Sequence, residues 1–143
     1  MRIDRALLDR AEFKSSVIIP VRMADLDMQW HVNNVRATEL LQEARFHFMR
    51  DCGMADAIRQ AQRRPVVVSK LVEYASEMSV EHPIEVFTAI SRLGSSSVVF
   101  SQKAQQCGRN ALYAQITLVM LGESGPESLP EAIRQAARPH LIG

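Results

Sequence analysis

Apolar positions along the chain recur with two distinct periods. Between Phe13 and Val21 they alternate, with Phe13, Val17, Ile19 and Val21 on one parity, which predicts a first β-strand. Ala24 to Asn34 is polar and turn-prone. Beyond it Ala37, Leu40, Leu41, Ala44 and Phe48 are spaced i, i+3, i+4, i+7 and i+11, so they share one face of a helix. Asn34 is a suitable N-cap and Gly53 a suitable C-cap for that helix.

The second half reads as strand. Val66–Tyr74 follows Pro65, and Ile84–Leu93 is a second run. Gly94 separates it from Ser95–Gln105, its hairpin partner. Gly108–Asn110 turns into Ala111–Leu121, where Leu112, Ala114, Ile116, Leu118 and Met120 form one apolar face. A short helix from Pro130 to Ala137 ends the pattern, with Pro130 in a first turn that needs no amide. One long helix with a largely antiparallel sheet is an α+β arrangement. The helix can cover only one sheet face. The other face and any exposed edge call for a partner, so a homo-oligomer is expected.

The 143 residues fit one domain, 1–143, with residues 1–12 as an N-terminal extension and 130–143 as a terminal helix and tail. A hydrophobic share of 47% and a charged share of 23% are ordinary for a globular protein. The net charge of +1 recommends neither nucleic acid nor an anionic membrane as partner. No apolar run has the length of a bilayer span, and charge interrupts the first ten residues as it would not in a secretory signal. Cys52 and Cys107 fit no metal spacing. Reduced thiols in a cytoplasmic protein are the expectation, and no metal is expected.

The chemistry is concentrated in Asp25-Leu26-Asp27-Met28-Gln29-Trp30-His31-Val32-Asn33-Asn34. A carboxylate, Asp27, precedes a helix whose first-turn amides have no internal acceptors and lie at the positive end of the macrodipole. Such amides can hold a developing oxyanion. A carboxylate beside them suits acyl transfer, as nucleophile or as base for a water. A capped turn is the ordinary role of a loop aspartate and competes with this reading. A salt bridge or turn suits Asp25 better. Asn33 and Asn34 read as cap and loop-fixing residues. Glu43, beside the apolar helix face, reads first as a solvated or paired carboxylate. Arg63, Arg64 and Arg92 could each meet phosphate or simply be solvated. Phe46 points away from the apolar face, as a subunit contact or an exposed aromatic.

This segment, with Glu43-Ala44-Arg45 following it, resembles the 4-hydroxybenzoyl-CoA thioesterase branch of the hot-dog superfamily. It is also similar to the catalytic segment of plant acyl-carrier-protein thioesterases. Arg92–Val98 resembles the hairpin bordering the coenzyme A site, and Leu129–Ile133 the family's ending. The resemblance implies a hot-dog fold, an antiparallel sheet wrapped around one long helix, assembled as a dimer or dimer of dimers. It implies hydrolysis of an acyl-CoA to free acid and CoA, with CoA entering as part of the substrate and no separate cofactor. Asp27 then falls at the catalytic carboxylate and His31 at a functional histidine. Val35 and Arg36 supply oxyanion-holding amides. Gln29, Trp30, Asn33 and Asn34 lie around the acyl and thioester end, and Arg92, Ser95 and Ser96 toward the pantetheine or nucleotide. Two positions depart from the family pattern. Trp30 stands where glycine is frequent, and Ala37 where an aromatic residue is frequent. A hydratase or dehydratase on the same fold, and a non-catalytic acyl-CoA-binding or interaction module, are the rival expectations.

Overall fold

The computed structural model describes residues 2–143. The elements in chain order are α1 (Arg5–Arg10), β1 (Ser16–Ile19), a 3-10 turn (Met23–Asp25), α2 (Asn34–Asp51), α3 (Met54–Gln60) and β2 (Arg64–Tyr74). They continue with β3 (Ile84–Leu93), β4 (Ser97–Gln106), β5 (Arg109–Gly122), β6 (Gly125–Pro126) and α4 (Glu131–Ala137), which runs into a 3-10 turn (Arg138–His140). The strands form one antiparallel sheet in the order β1-β3-β4-β5-β2, with β6 paired to β5.

The sheet curls around α2. Ala37, Leu40, Leu41, Ala44 and Phe48, the predicted stripe, are each 1% exposed. They pack against Ile84, Val86, Ile90, Phe100 and the whole apolar face of β5. Full burial of each large side chain stabilises by about 1.5–3 kcal/mol, so this stripe fixes the helix on the sheet. Met49 extends the stripe by one more position. Polar residues join the buried set, among them Gln102, whose amide donates to the Leu41 carbonyl at 2.8 Å, and Arg45.

Several boundaries differ from expectation. The first strand is shorter than Phe13–Val21. Pro20 cannot continue the ladder, and Phe13 crosses to the other face, where its ring sits 5.6 Å from that of Phe87. Gly53 has φ 89 and opens α3, a helix the sequence pattern did not reveal. Cys107 and Gly108, at φ 54 and 75, make the two-residue turn between β4 and β5, the geometry that matches hairpin twist.

The outer sheet face is not left wholly to a partner. Within the N-terminal extension expected at residues 1–12, the described part from residue 2 carries α1 across it. Ile3 and Leu8 bury against Tyr113, Phe13, Leu71 and Ile142. Polar ties fix the segment. Glu73 accepts from the Ile3 amide at 3.0 Å and the Arg5 guanidinium at 2.8 Å. Lys103 donates to the Leu8 carbonyl at 3.2 Å, and the Tyr113 hydroxyl donates to Asp9 at 2.7 Å. Burial, then the Asp9 carboxylate, push the Tyr113 pKa up to about 12.

The far edge of β2 is open. Pro65 carries no amide hydrogen, a residue sheets tolerate only where no ladder bond is needed. The ladder to β5 shifts register between Val67 and Ser69, leaving Val68 as an inserted residue. Val67 and Val68 are both exposed.

Candidate active site

The loop before α2 is organised by a buried carboxylate. Asp25, 1% exposed, accepts from the Arg22 amide at 2.8 Å, from the Arg22 guanidinium at 2.9 Å and from Arg36 Nε at 2.9 Å. Its own carbonyl accepts from the Asn33 amide at 2.7 Å. Burial pushes the carboxyl up, but the bonds from Arg22 and the charge of Arg36 outweigh it, and its pKa lies below the ordinary carboxylate value. Asp25 therefore pins both ends of the loop to the first turn of α2.

Asp27 stands in the small hairpin held by that anchor. Its main chain bonds both ways with the turn: Asp27 N to the His31 carbonyl at 2.8 Å, and Trp30 N to the Asp27 carbonyl at 3.1 Å. Its side-chain Oδ1 accepts from the amides of Gln29 at 2.8 Å and His31 at 3.3 Å. Oδ2 has no partner among the described residues. The carboxylate is thus oriented through one oxygen while the other stays available. The turn forces Trp30 to φ 63, a conformation that costs an L-residue roughly 1–2 kcal/mol. The residue is 67% exposed.

The helix starts one residue earlier than expected. Asn33, not Asn34, is the N-cap, and its Oδ1 accepts from the Val35 amide at 2.8 Å. The Val35 donor, expected to face a substrate, is in this conformation committed to the cap, because an Asn at that position competes for it. The amides of Asn34 and Arg36 have no acceptor among the described residues.

Asp27, Gln29, His31, Asn34, Tyr74, Ser76 and Glu77 line a cleft of about 200 Å³, floored by Val32, Ala37, Met78 and Leu112. The Tyr74 hydroxyl lies 3.5 Å from the Asn34 carbonyl, and His31 Nε2 lies 3.1 Å from a Glu77 carboxylate oxygen. Tyr74, Ser76 and Glu77 carry no sequence signal, since they arrive from the end of β2 and the segment after it. Ala37 is part of the floor, as a small residue, and Glu43 lies 3.8 Å from Arg36, as a paired carboxylate.

Arg92, Ser95 and Ser96 are not brought to this cleft within one protomer. Leu112 of β5 lies opposite Tyr74 at the cleft end, while Leu118 lies opposite Val98 beside the β3–β4 turn. Six residues of strand separate those levels, roughly 20 Å. The turn is fastened elsewhere: the Ser95 and Ser96 carbonyls accept from Leu129 and Met120 amides at 2.8 Å, and Arg134 donates to the Gly94 carbonyl at 2.8 Å. Arg92 borders a hollow on the outer sheet face with Ser69, Lys70, Leu71 and Ser91. Among the described residues, no three His, Cys, Asp or Glu side chains converge as metal ligands, and no helix is long and apolar enough to cross a membrane.

A curled antiparallel sheet around one long helix, with a carboxylate turn at the helix entrance, is the hot-dog fold. Residues 21–137 match the thioesterase-like superfamily, and the chain belongs to it. It is similar to a thioesterase from Thermus thermophilus solved with coenzyme A and zinc, at 28% identity and a TM-score of 0.78 over 89% of this chain and 94% of that one. A protein from Pseudomonas aeruginosa strain PAO1 matches at 24% identity and TM-score 0.79, covering 92% and 94% of the two chains. A 1,4-dihydroxy-2-naphthoyl-CoA thioesterase from Synechocystis shares the fold at 15% identity and TM-score 0.76, covering 86% and 94%. None of the curated proteins matches the chain.

Proposed function

We propose that this protein is a cytoplasmic acyl-CoA thioesterase that works as a homodimer or a dimer of dimers. The observation that carries the reading is the Asp27 carboxylate, tethered by two turn amides through Oδ1, with Oδ2 left without a partner among the described residues, in the lining of a cleft at the start of α2. The thioester carbonyl sits over Asp27 with its oxygen on the Arg36 amide, joined by that of Val35 when Asn33 releases it. Oδ2 either adds to the carbonyl carbon or takes a proton from an attacking water. The carbon–sulfur bond then breaks and the sulfur leaves with a proton as CoA thiol. In the first route a water then cleaves the acyl-aspartyl anhydride; in the second the hydroxyl from the attacking water is already on the carbon. In both the acyl group leaves as the acid. His31, held by Glu77, is placed to contact the thioester end. Superfamily membership and the coenzyme A in the Thermus relative support a CoA thioester as substrate.

The dimer follows from the open edge of β2. A self-pairing edge strand related by a two-fold axis pairs antiparallel. The Pro65 end of the partner's β2 then lies beside the Tyr74 end of this one. That crossing brings the partner's β3–β4 turn toward the cleft, so Arg92, Ser95 and Ser96 meet the CoA moiety in trans.

A thiol-release assay over short, long and aromatic acyl-CoAs tests the proposal. Release that depends on Asp27 is expected. Saturable binding without thiol release would mark a binding module, and turnover that leaves CoA attached would mark a hydratase or dehydratase. Either result overturns the reading.

A further inference from the structure

Three helical turns beyond the cleft, α2 carries a charge with nothing to balance it. Arg45 is 5% exposed, and its Nε has no hydrogen-bond partner. No carboxylate lies within ion-pair distance among the described residues. Its guanidinium makes a cation–π contact instead, 5.7 Å from the ring centroid of Phe46. Burial also draws its pKa below the ordinary arginine value. An unpaired buried charge is among the costliest things a fold can hold, so the isolated protomer is incomplete at this point.

The guanidinium lies in a groove of about 390 Å³ between α2 and the β2 edge, lined by Gln42, Phe46, Met49, Pro65, Val67 and Leu118. Phe46 and Val67 are exposed on its rim. The groove therefore runs along the same unpaired strand edge that the dimer reading uses. A strand laid against that edge carries its own row of main-chain carbonyls, and its helix comes with it. Two-fold symmetry makes the arrangement occur twice.

We infer that Arg45 is an interface anchor, its guanidinium donating to an oxygen acceptor of a second copy of this chain, which closes the groove. The inference rests on the dimeric reading above. It makes Arg45 a positioning residue: the helix entrance bearing one protomer's cleft is steadied by assembly, and the anchor of that assembly is a charge each protomer leaves unsatisfied.

The test compares wild type with R45M and R45Q by sedimentation equilibrium, by urea unfolding at protein concentrations below dimerisation, and by thiol release across enzyme dilution. Methionine keeps the stem and removes the charge. A hydrogen bond to a charged group lost across the interface raises the dimer dissociation constant of R45M roughly ten- to hundredfold. Its thiol release should collapse on dilution and recover on concentration. The isolated R45M protomer should be no less stable than wild type, since the uncompensated charge is gone, an outcome opposite to that of a core-supporting residue. An unchanged dissociation constant overturns the inference. So does a variant that dimerises normally but loses turnover at every concentration, which would give the groove to substrate. A wild-type protein that stays monomeric yet active sinks the dimer reading itself, and is told apart by needing no variant.

Discussion

Asp25 and Asp27 are two residues apart, and removing their charges should have opposite consequences. In Asp25→Asn the new amide keeps one acceptor oxygen but sets an NH₂ against donors from Arg22 or Arg36. Breaking a buried ion pair costs about 3–5 kcal/mol. Two facts lower that figure here: the Arg22 side chain is 63% exposed, so its pair contributes little, and Arg36 has Glu39 at 3.3 Å and Glu43 at 3.8 Å as substitutes. A loss of about 2–3 kcal/mol in urea unfolding at neutral pH is expected. The pH dependence checks the cause. The folded-state pKa of Asp25 is depressed, so its contribution is present above the unfolded carboxyl value and lost as pH falls through the folded one. The gap between wild type and Asp25→Asn should therefore close below pH about 4. Asp27→Asn is the counterpart. The Asn oxygen can accept the same two amides, so stability should move by no more than about 0.5 kcal/mol. Thiol release should fall by about 10²–10⁴-fold, the share a positioned acid–base group supplies. If Asp27→Asn unfolds more readily than Asp25→Asn, or keeps activity within tenfold, the division of roles is wrong.

Three further outcomes are expected. Trp30 already bears the strain of φ 63, so Trp30→Gly should relieve about 1 kcal/mol of it in urea unfolding and shift the acyl-CoA panel toward bulkier groups, whereas the β-branched Trp30→Val should gain nothing. Asn33→Ala removes the cap and should lower stability by about 1 kcal/mol, with the helix start reporting the loss in amide exchange. The Tyr113 phenol should resist ionisation to about pH 12 in an ultraviolet difference titration. Because its folded pKa is raised, the stability linked to it is present below the unfolded value near 10 and lost as pH rises through the folded one.

What could be read from the chain was whatever one period or one motif carries. The stripe from Ala37 to Phe48 and the single face of β5 are strictly periodic, and both lie in the core. The turn bearing Asp27 was legible because its residue types and order resemble a family segment. α1 and α3 were not, since each is only two turns long and too short to show a period. The cap moved from Asn34 to Asn33 because adjacent asparagines offer the same chemistry, and only the backbone chooses between them. Glu77 and Tyr74 reach the cleft by tertiary packing, which leaves no trace in local sequence. The distance between Arg92 and Asp27 was hidden for the same reason: strand pairing, not sequence order, decides which ends of the sheet meet.

The inserted residue in β2 has a consequence for how copies of this chain can meet. A perfectly regular edge is the same at every second residue, so neighbouring strands can slide and still bond. A kink at Val68 abolishes that sameness. Only one alignment sets irregular backbone where an adjoining strand can tolerate it, and shifted alignments forfeit bonds on both sides. In the proposed dimer the irregularity would thus favour a single finite pairing over the open-ended stacking that a straight, valine-rich border would invite.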